Sequence, residues 1–534
     1  MTQIAPITPA TGAGAVPLAR DAAAADGLRQ DAAHRRDIAA LAKGGRTNFF
    51  GFLLRLAARL PFLFIAGRLY GADALGRFAS ALVVIELAAQ LCTLGQKRGI
   101  AQRLSEDDRH AANIIADGVV LTLLIAVVVS IGLYLVPAPM FPSGEYSWLD
   151  RLLVLAICPV ALTDIALAAL AYRYDVGATV KARSVIEPWT LSIGAGLFYA
   201  LGRWGGMGLA QASGLSLSYI LSIFAALVAA MVPLLRSYGL PRAWTPHPLR
   251  IGQLALATMP LAVADAVEWG TRRIDIAILG LFAQPASVGV YYVAQQVASL
   301  PQKLKTSFEP ILGPVITRNL KEGNLRAIAT QVCQVGFWIT AAQAGIALAL
   351  GIPGDGVLGL VGPQFTGGML ALAFLLGAEV CAAPAVVSEA ALIYIAPMRN
   401  LWVSLATIAI QAVLTIAGMM VARRFAFDEM DQAAAAAGAL LVTLLIASFV
   451  KSRLLSLYLQ QPVRTLRWAL VIAGAGAVAV GWGVVTFLPE WAQIALGIPA
   501  ILGTYCFVIW RLGFGPADRM LFRRQPAPET QDPA

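Results

Sequence analysis

Leu69-Tyr70-Gly71-Ala72-Asp73-Ala74-Leu75-Gly76-Arg77-Phe78-Ala79 and Leu281-Phe282-Ala283-Gln284-Pro285-Ala286-Ser287-Val288-Gly289-Val290-Tyr291 follow one pattern. Each is an apolar helix end, a short turn of small residues, a glycine, and an aromatic residue that opens the next helix. Gly76 and Gly289 lie 213 residues apart. A weak repeat at that distance in an apolar chain is the mark of a duplicated helical unit.

Outward from these turns the sequence is a succession of apolar runs. An α-helix needs about 20 apolar residues to cross a bilayer core, and fourteen stretches qualify: 49–70, 78–95, 113–136, 149–171, 185–202, 207–233, 251–281, 287–315, 327–350, 369–395, 400–421, 432–456, 467–487 and 491–512. None shows the two-residue alternation of a membrane barrel strand. The expected fold is all-α and polytopic. Six spans separate the matched turns, so both copies have the same orientation, giving two parallel six-helix lobes plus two C-terminal helices. The expected organisation is a cytoplasmic, disordered tail over 1–48, an N-lobe over 49–233 and a linker over 234–250. A C-lobe over 251–456, two extra spans over 467–512 and a tail over 513–534 complete it.

Composition agrees. Of 534 residues 58% are hydrophobic and 13% charged, about half the charge a water-facing globular surface carries. The mean hydropathy is +0.72. The net charge of +10 is a topology signal. Thirty of the 40 Lys and Arg residues fall on the tail and the loops of one side, and five on the other. By the positive-inside rule both termini are cytoplasmic. Nothing in the pattern suggests a nucleic-acid partner. The first 48 residues lack the apolar core of a cleavable signal. The three histidines and five cysteines stand singly, so no metal site is expected, and no phosphate-binding loop is present.

The informative charges are those within spans, where each costs roughly 2.5–3.5 kcal/mol at the bilayer centre. In the first span Arg55 and Arg59 share a helix face, roughly 9 and 15 Å in from Phe49. Arg68 lies at the outer end. In the seventh span Asp265, Glu268, Arg272 and Asp275 are spaced 3, 4 and 3, within an arc of about 80°, with Arg273 on its edge. That span is long enough to tilt or break near Pro260. Shifting by 213 residues lays Arg59 on Arg272. These arginines are candidates to bind an anionic cargo, since the guanidinium stays charged and matches phosphate oxygens in bidentate geometry. Asp265, Glu268, Asp275 and Glu379 are candidates to couple Na⁺ or H⁺ movement. Glu389, beyond Pro384 from Glu379, is a secondary one. Internal salt bridging on a buried face is the competing reading.

The two matched turns, with Leu360-Val361-Gly362-Pro363-Gln364-Phe365 before the tenth span, resemble the polysaccharide-transporter branch of the multidrug/oligosaccharidyl-lipid/polysaccharide (MOP) flippase superfamily, the Wzx-type flippases. The resemblance implies a pair of six-helix lobes about a central cavity, alternating access, and no enzymatic activity or cofactor. It implies a polyprenyl-diphosphate-linked oligosaccharide as cargo, moved across the bacterial cytoplasmic (inner) membrane for exopolysaccharide, capsule or O-antigen synthesis. Polymerase or glycosyltransferase machinery would be the protein partners. A fourteen-span chain also resembles the peptidoglycan-precursor flippases of that superfamily, and a drug/cation antiporter is a third reading, disfavoured by the in-span arginines. A membrane glycosyl polymerase would need a large external loop, which the sequence lacks.

Overall fold

The computed structural model describes residues 60–106, 110–173, 175–204, 208, 213–241, 244–306 and 309–519. No strand occurs among them. Among the described residues eleven stretches are long and apolar enough to cross a membrane. Fourteen expected spans become eleven because the first two run together in Leu60–Ile100, while helices at the fifth and eighth carry too many polar residues to qualify by composition.

The N-lobe contains α1 (60–70), α2 (Gly71–Cys92), α3 (Gln96–Glu106), α4 (Ala111–Leu135), α5 (Trp148–Tyr172), α6 (176–204) and α7 (Gly214–Tyr238). The C-lobe contains α8 (Pro248–Phe282), α9 (Pro285–Thr306), α10 (Glu309–Lys321), α11 (Leu325–Gly351) and α12 (Gly354–Val361). It continues through α13 (Met369–Ile395), α14 (Pro397–Arg424) and α15 (Glu429–Leu459). The two additional spans, α16 (Trp468–Phe487) and α17 (Glu490–Gly513), pack on each other and on α11, outside the lobe.

The duplicated turns meet. α2 packs along α9, and a Cβ on Gly76 would strike the carbonyl of Pro285, just as one on Gly289 would strike that of Ala72. Only glycine lets the two backbones come this close. Gly71, in the same turn, has φ +85°, a conformation L side chains rarely adopt. The lobes are therefore sealed at this end by a symmetric pair of backbone contacts. Toward the other end α8 leans on α3 and α4, with Gly95 against Leu261 and Ala262. The Trp244 indole N–H donates to Asp117 Oδ1 at 2.8 Å, tying the linker before α8 to the N-lobe.

Proline stands inside α8, α9 and α13, at Pro260, Pro301 and Pro384. Pro384 interrupts the ladder of α13, and a neighbouring helix repairs it. The Ala385 N–H donates to Ser448 Oγ at 3.1 Å, and the Ser448 hydroxyl donates to the Cys381 carbonyl. In lipid such repair is required, because no water can satisfy freed backbone groups.

Candidate functional site

A cavity of about 860 Å³ lies within the C-lobe. Its walls among the described residues come from α8, α9, α10, α13, α14 and α15, and the N-lobe contributes Arg98 alone. Ile393, Tyr394 and Met398, all well exposed at the α13–α14 turn, mark its mouth. That mouth is at the end of the molecule opposite the Gly76–Gly289 seal. Helices apolar on most faces turn their few amides, hydroxyls and charges inward here, as membrane proteins must.

Three charged groupings frame the cavity. Lys451 of α15, 5% exposed, pairs with Glu389 Oε2 of α13 at 2.9 Å and donates to Ser404 Oγ of α14 at 3.0 Å. Arg273 of α8 donates to Gln295 Oε1 at 2.8 Å and faces Glu86 Oε2 of α2 at 3.7 Å, an ion pair between the lobes. Arg98 pairs with Asp265 Oδ1 of α8 at 3.2 Å, a second inter-lobe pair of opposite polarity. Gln302 of α9 donates to Glu379 Oε1 at 2.9 Å on the same wall.

The residues expected from sequence distribute as follows. Arg273 and Glu379 line the cavity. Asp265 is 5% exposed and held by Arg98. Asp275 lies fully buried behind the wall, where its Oδ2 accepts from the Tyr291 hydroxyl at 2.5 Å and from Gln295 Nε2 at 3.1 Å. Arg68 lies away from the cavity, exposed, with its Nε donating to the Leu360 carbonyl at 3.1 Å. Arg55 and Arg59 lie outside the described residues, as do the side chains of Glu268 and Arg272. Of the arc's described side chains, Asp265 is salt-bridged to the other lobe and Asp275 is held by hydrogen bonds from α9, while Arg273 on its edge pairs with the other lobe.

Sequence reading missed Lys451 and Arg98. Both counted as loop charges of the positive-inside side. The signal for Lys451 was the unbroken helical run from Glu429 to Leu459, which places residue 451 within the helix and on the face of Thr443, Ala447 and Ser448. The N-lobe holds its own cluster of partly buried charges. Lys97 Nζ lies 2.6 Å from Asp164 Oδ2, Arg183 also contacts Asp164, and Arg183 reaches Glu187 Oε2 at 2.8 Å. Among the described residues no group of three or more His, Cys, Asp or Glu side chains is placed to hold a metal ion.

Comparison with known proteins places this arrangement. The structure is similar to the inward-facing conformation of a multidrug resistance MATE family transporter of the MOP superfamily, with TM-score 0.60 and 15% identity over 77% of this chain and 99% of that one. Similarity to an outward-facing MATE transporter is lower, with TM-score 0.52 and 13% identity over 80% and 97%. A MOP superfamily transporter from Pyrococcus furiosus, described as having a binding pocket of reverse polarity, gives TM-score 0.55 and 13% identity over 80% and 96%. These likenesses establish the fold. No curated protein matches the sequence. A family model described as "Polysaccharide biosynthesis protein" matches residues 51–319, just over half of the chain. A chain with that match is a member of the polysaccharide biosynthesis protein family, and it carries the two-lobed helical fold seen in those transporters.

Proposed function

We propose that the protein is a flippase for a polyprenyl-diphosphate-linked oligosaccharide, working by alternating access in the bacterial cytoplasmic membrane and serving cell-surface polysaccharide synthesis. The observation that carries this reading is a cavity of about 860 Å³ inside an apolar helical bundle, with Arg273, Glu379, Glu389 and Lys451 among its lining residues and sealed at the Gly76–Gly289 end, in a chain of the polysaccharide biosynthesis family. That volume lies within the range of ligand-binding cavities. An isoprenoid tail has no need of a polar interior and is expected to remain in the bilayer.

In this reading the N-lobe is 49–233, the linker 234–250, the C-lobe 251–456 and the added spans 467–512. Both termini lie in the cytoplasm, so the cavity mouth at Tyr394 faces the compartment where the glycan is assembled. Arg55, Arg59, Arg272 and Arg273 serve the diphosphate, and Arg68 acts at the outer rim. Asp265, Glu268, Asp275 and Glu379 are the carboxylates through which a Na⁺ or H⁺ gradient drives the exchange of states. The opposed pairs Arg98–Asp265 and Glu86–Arg273 support this, because a change of state must break or remake contacts that cross the lobes.

Depletion in the native host tests the function. Lipid-linked glycan should accumulate on the cytoplasmic leaflet while surface polysaccharide is lost. Unchanged leaflet distribution with intact surface glycan would overturn the proposal. Lysis with loss of cell-wall synthesis would instead identify a peptidoglycan precursor as the cargo.

A further inference from the structure

One face of α14 carries Asn400, Ser404, Thr407, Gln411 and Thr415, spaced 4, 3, 4 and 4. At 100° per residue they span an arc of about 80°, and over fifteen residues they run about 22 Å along the helix. An amide and hydroxyl stripe of that length is costly in a membrane helix unless it has partners. The first three residues line the cavity. Ser404 accepts from Lys451, and Thr407 spends its proton on the Val403 carbonyl at 2.8 Å, leaving its lone pairs free. Asn400 is 6% exposed and its Oδ1 has no hydrogen-bond partner.

Further along the stripe, toward the sealed end, Gln411 is completely buried with neither amide atom paired, and Thr415 Oγ1 is also unpaired. Trp269 Nε1, on the adjoining helix α8, is a third buried donor without a partner. Ordinary helix–helix glue would satisfy these groups. Facing the stripe, α9 presents Gln296, Ser299 and Gln302 to the same cavity. The aromatic side chain among the described lining residues is Tyr394, half-exposed at the mouth, with Gly313 leaving room beside its hydroxyl.

We infer that the α14 stripe is a saccharide-binding track, on which neutral amides and hydroxyls read the hydroxyl groups of the cargo's sugars while Tyr394 offers them a stacking face. Neutral donors and acceptors along a wall suit a polyhydroxylated ligand, as guanidinium groups suit phosphate. Asn400, Ser404 and Thr407 serve the glycan in the present state. Gln411 and Thr415 lie between α14 and its neighbours until the seam with α8 opens, and then extend the track toward the far side. The inference rests on the flippase reading and adds to it that the C-lobe, through α14, recognises the sugar part.

The test uses the full chain in detergent and four probes: polyprenyl diphosphate alone, and the same carrier bearing one glucose, one N-acetylglucosamine or one N-acetylgalactosamine. The wild type should bind at least one sugar-bearing carrier ten-fold or more tightly than the bare carrier. Asn400→Leu and the isosteric Thr407→Val should each reduce that preference at least five-fold. Gln411→Leu should raise the thermal unfolding temperature, since it removes a buried unpaired amide, and should slow the flipping of the preferred carrier in vesicles ten-fold. Equal binding of all four carriers by the wild type, or a preference kept by both cavity variants, would overturn the track and leave the flippase reading standing. A lowered unfolding temperature or unaltered flipping for Gln411→Leu would do the same. Failure of the wild type to bind any carrier would remove the flippase reading and the track with it.

Discussion

The Lys451–Glu389 pair makes an asymmetric prediction. Its atoms lie 2.9 Å apart, and at an effective dielectric of about 20 the attraction is about 6 kcal/mol before desolvation is counted. Withdrawing the ammonium from water offsets much of that. The two partners differ in their surroundings, since the Lys451 side chain is 7% exposed and that of Glu389 36%, toward the cavity. Glu389→Gln leaves a buried cation with Ser404 and a neutral amide, at a cost of about 3 kcal/mol. Lys451→Met leaves a carboxylate that water in the cavity can reach, at a cost of about 1 kcal/mol. The double variant should cost little more than Lys451→Met alone, so the coupling energy in a double-mutant cycle is about 3 kcal/mol. Denaturation of the purified full chain in mixed micelles, followed by circular dichroism, measures all four proteins. Equal costs for the two single variants, or simple additivity in the double, would refute the claim that Lys451 is a desolvated cation stabilised by its partner.

The remaining predictions concern the lobe seam and the C-terminal anchor. Gly76→Ala puts a methyl group into the Pro285 carbonyl, an overlap worth about 1–3 kcal/mol that should favour the state open at that end; spin labels at residues 73 and 286 would report a longer distance, and an unchanged distribution would contradict the seal. Arg273→Ala should weaken the lobe contact by about 1–2 kcal/mol and leave Glu86 without its cation, whereas Arg273→Ala with Glu86→Gln should be no worse; unfolding curves of the two variants decide. Asp518, after the last span, is nearly fully buried. Burial opposes its ionisation, but hydrogen bonds from Arg467, the Gly515 N–H and Trp338 outweigh this and hold its carboxyl below the usual carboxylate range. A depressed folded-state pKa stabilises the anchor above the unfolded carboxylate range, near pH 4, and the stabilisation disappears as pH falls through the folded value. Trp338 fluorescence should therefore change on acidification below about pH 4, and Asp518→Asn should abolish that transition.

The sequence by itself determined the helical class, the duplication and the matched glycines Gly76 and Gly289. Those properties are local or pairwise along the chain. Apolar length is counted in one dimension, and Gly76 and Gly289 sit in stretches whose likeness survives as text. Membership in the polysaccharide biosynthesis protein family was legible for the same reason. What only the tertiary structure decided was the direction each in-span charge faces. Many helices of this bundle are apolar on nearly every face, so periodicity says little about which side meets a neighbour, lipid or cavity. Asp265, Asp275 and Arg273 share one helix, yet Arg98 holds the first, Tyr291 and Gln295 the second, and Glu86 and Gln295 the third. Lys451 sits near a span end in the sequence and is buried against Glu389 once α13, α14 and α15 pack together. The desolvation that gives such groups their chemistry depends on atoms far away in the sequence, so it appears only when the helices are assembled.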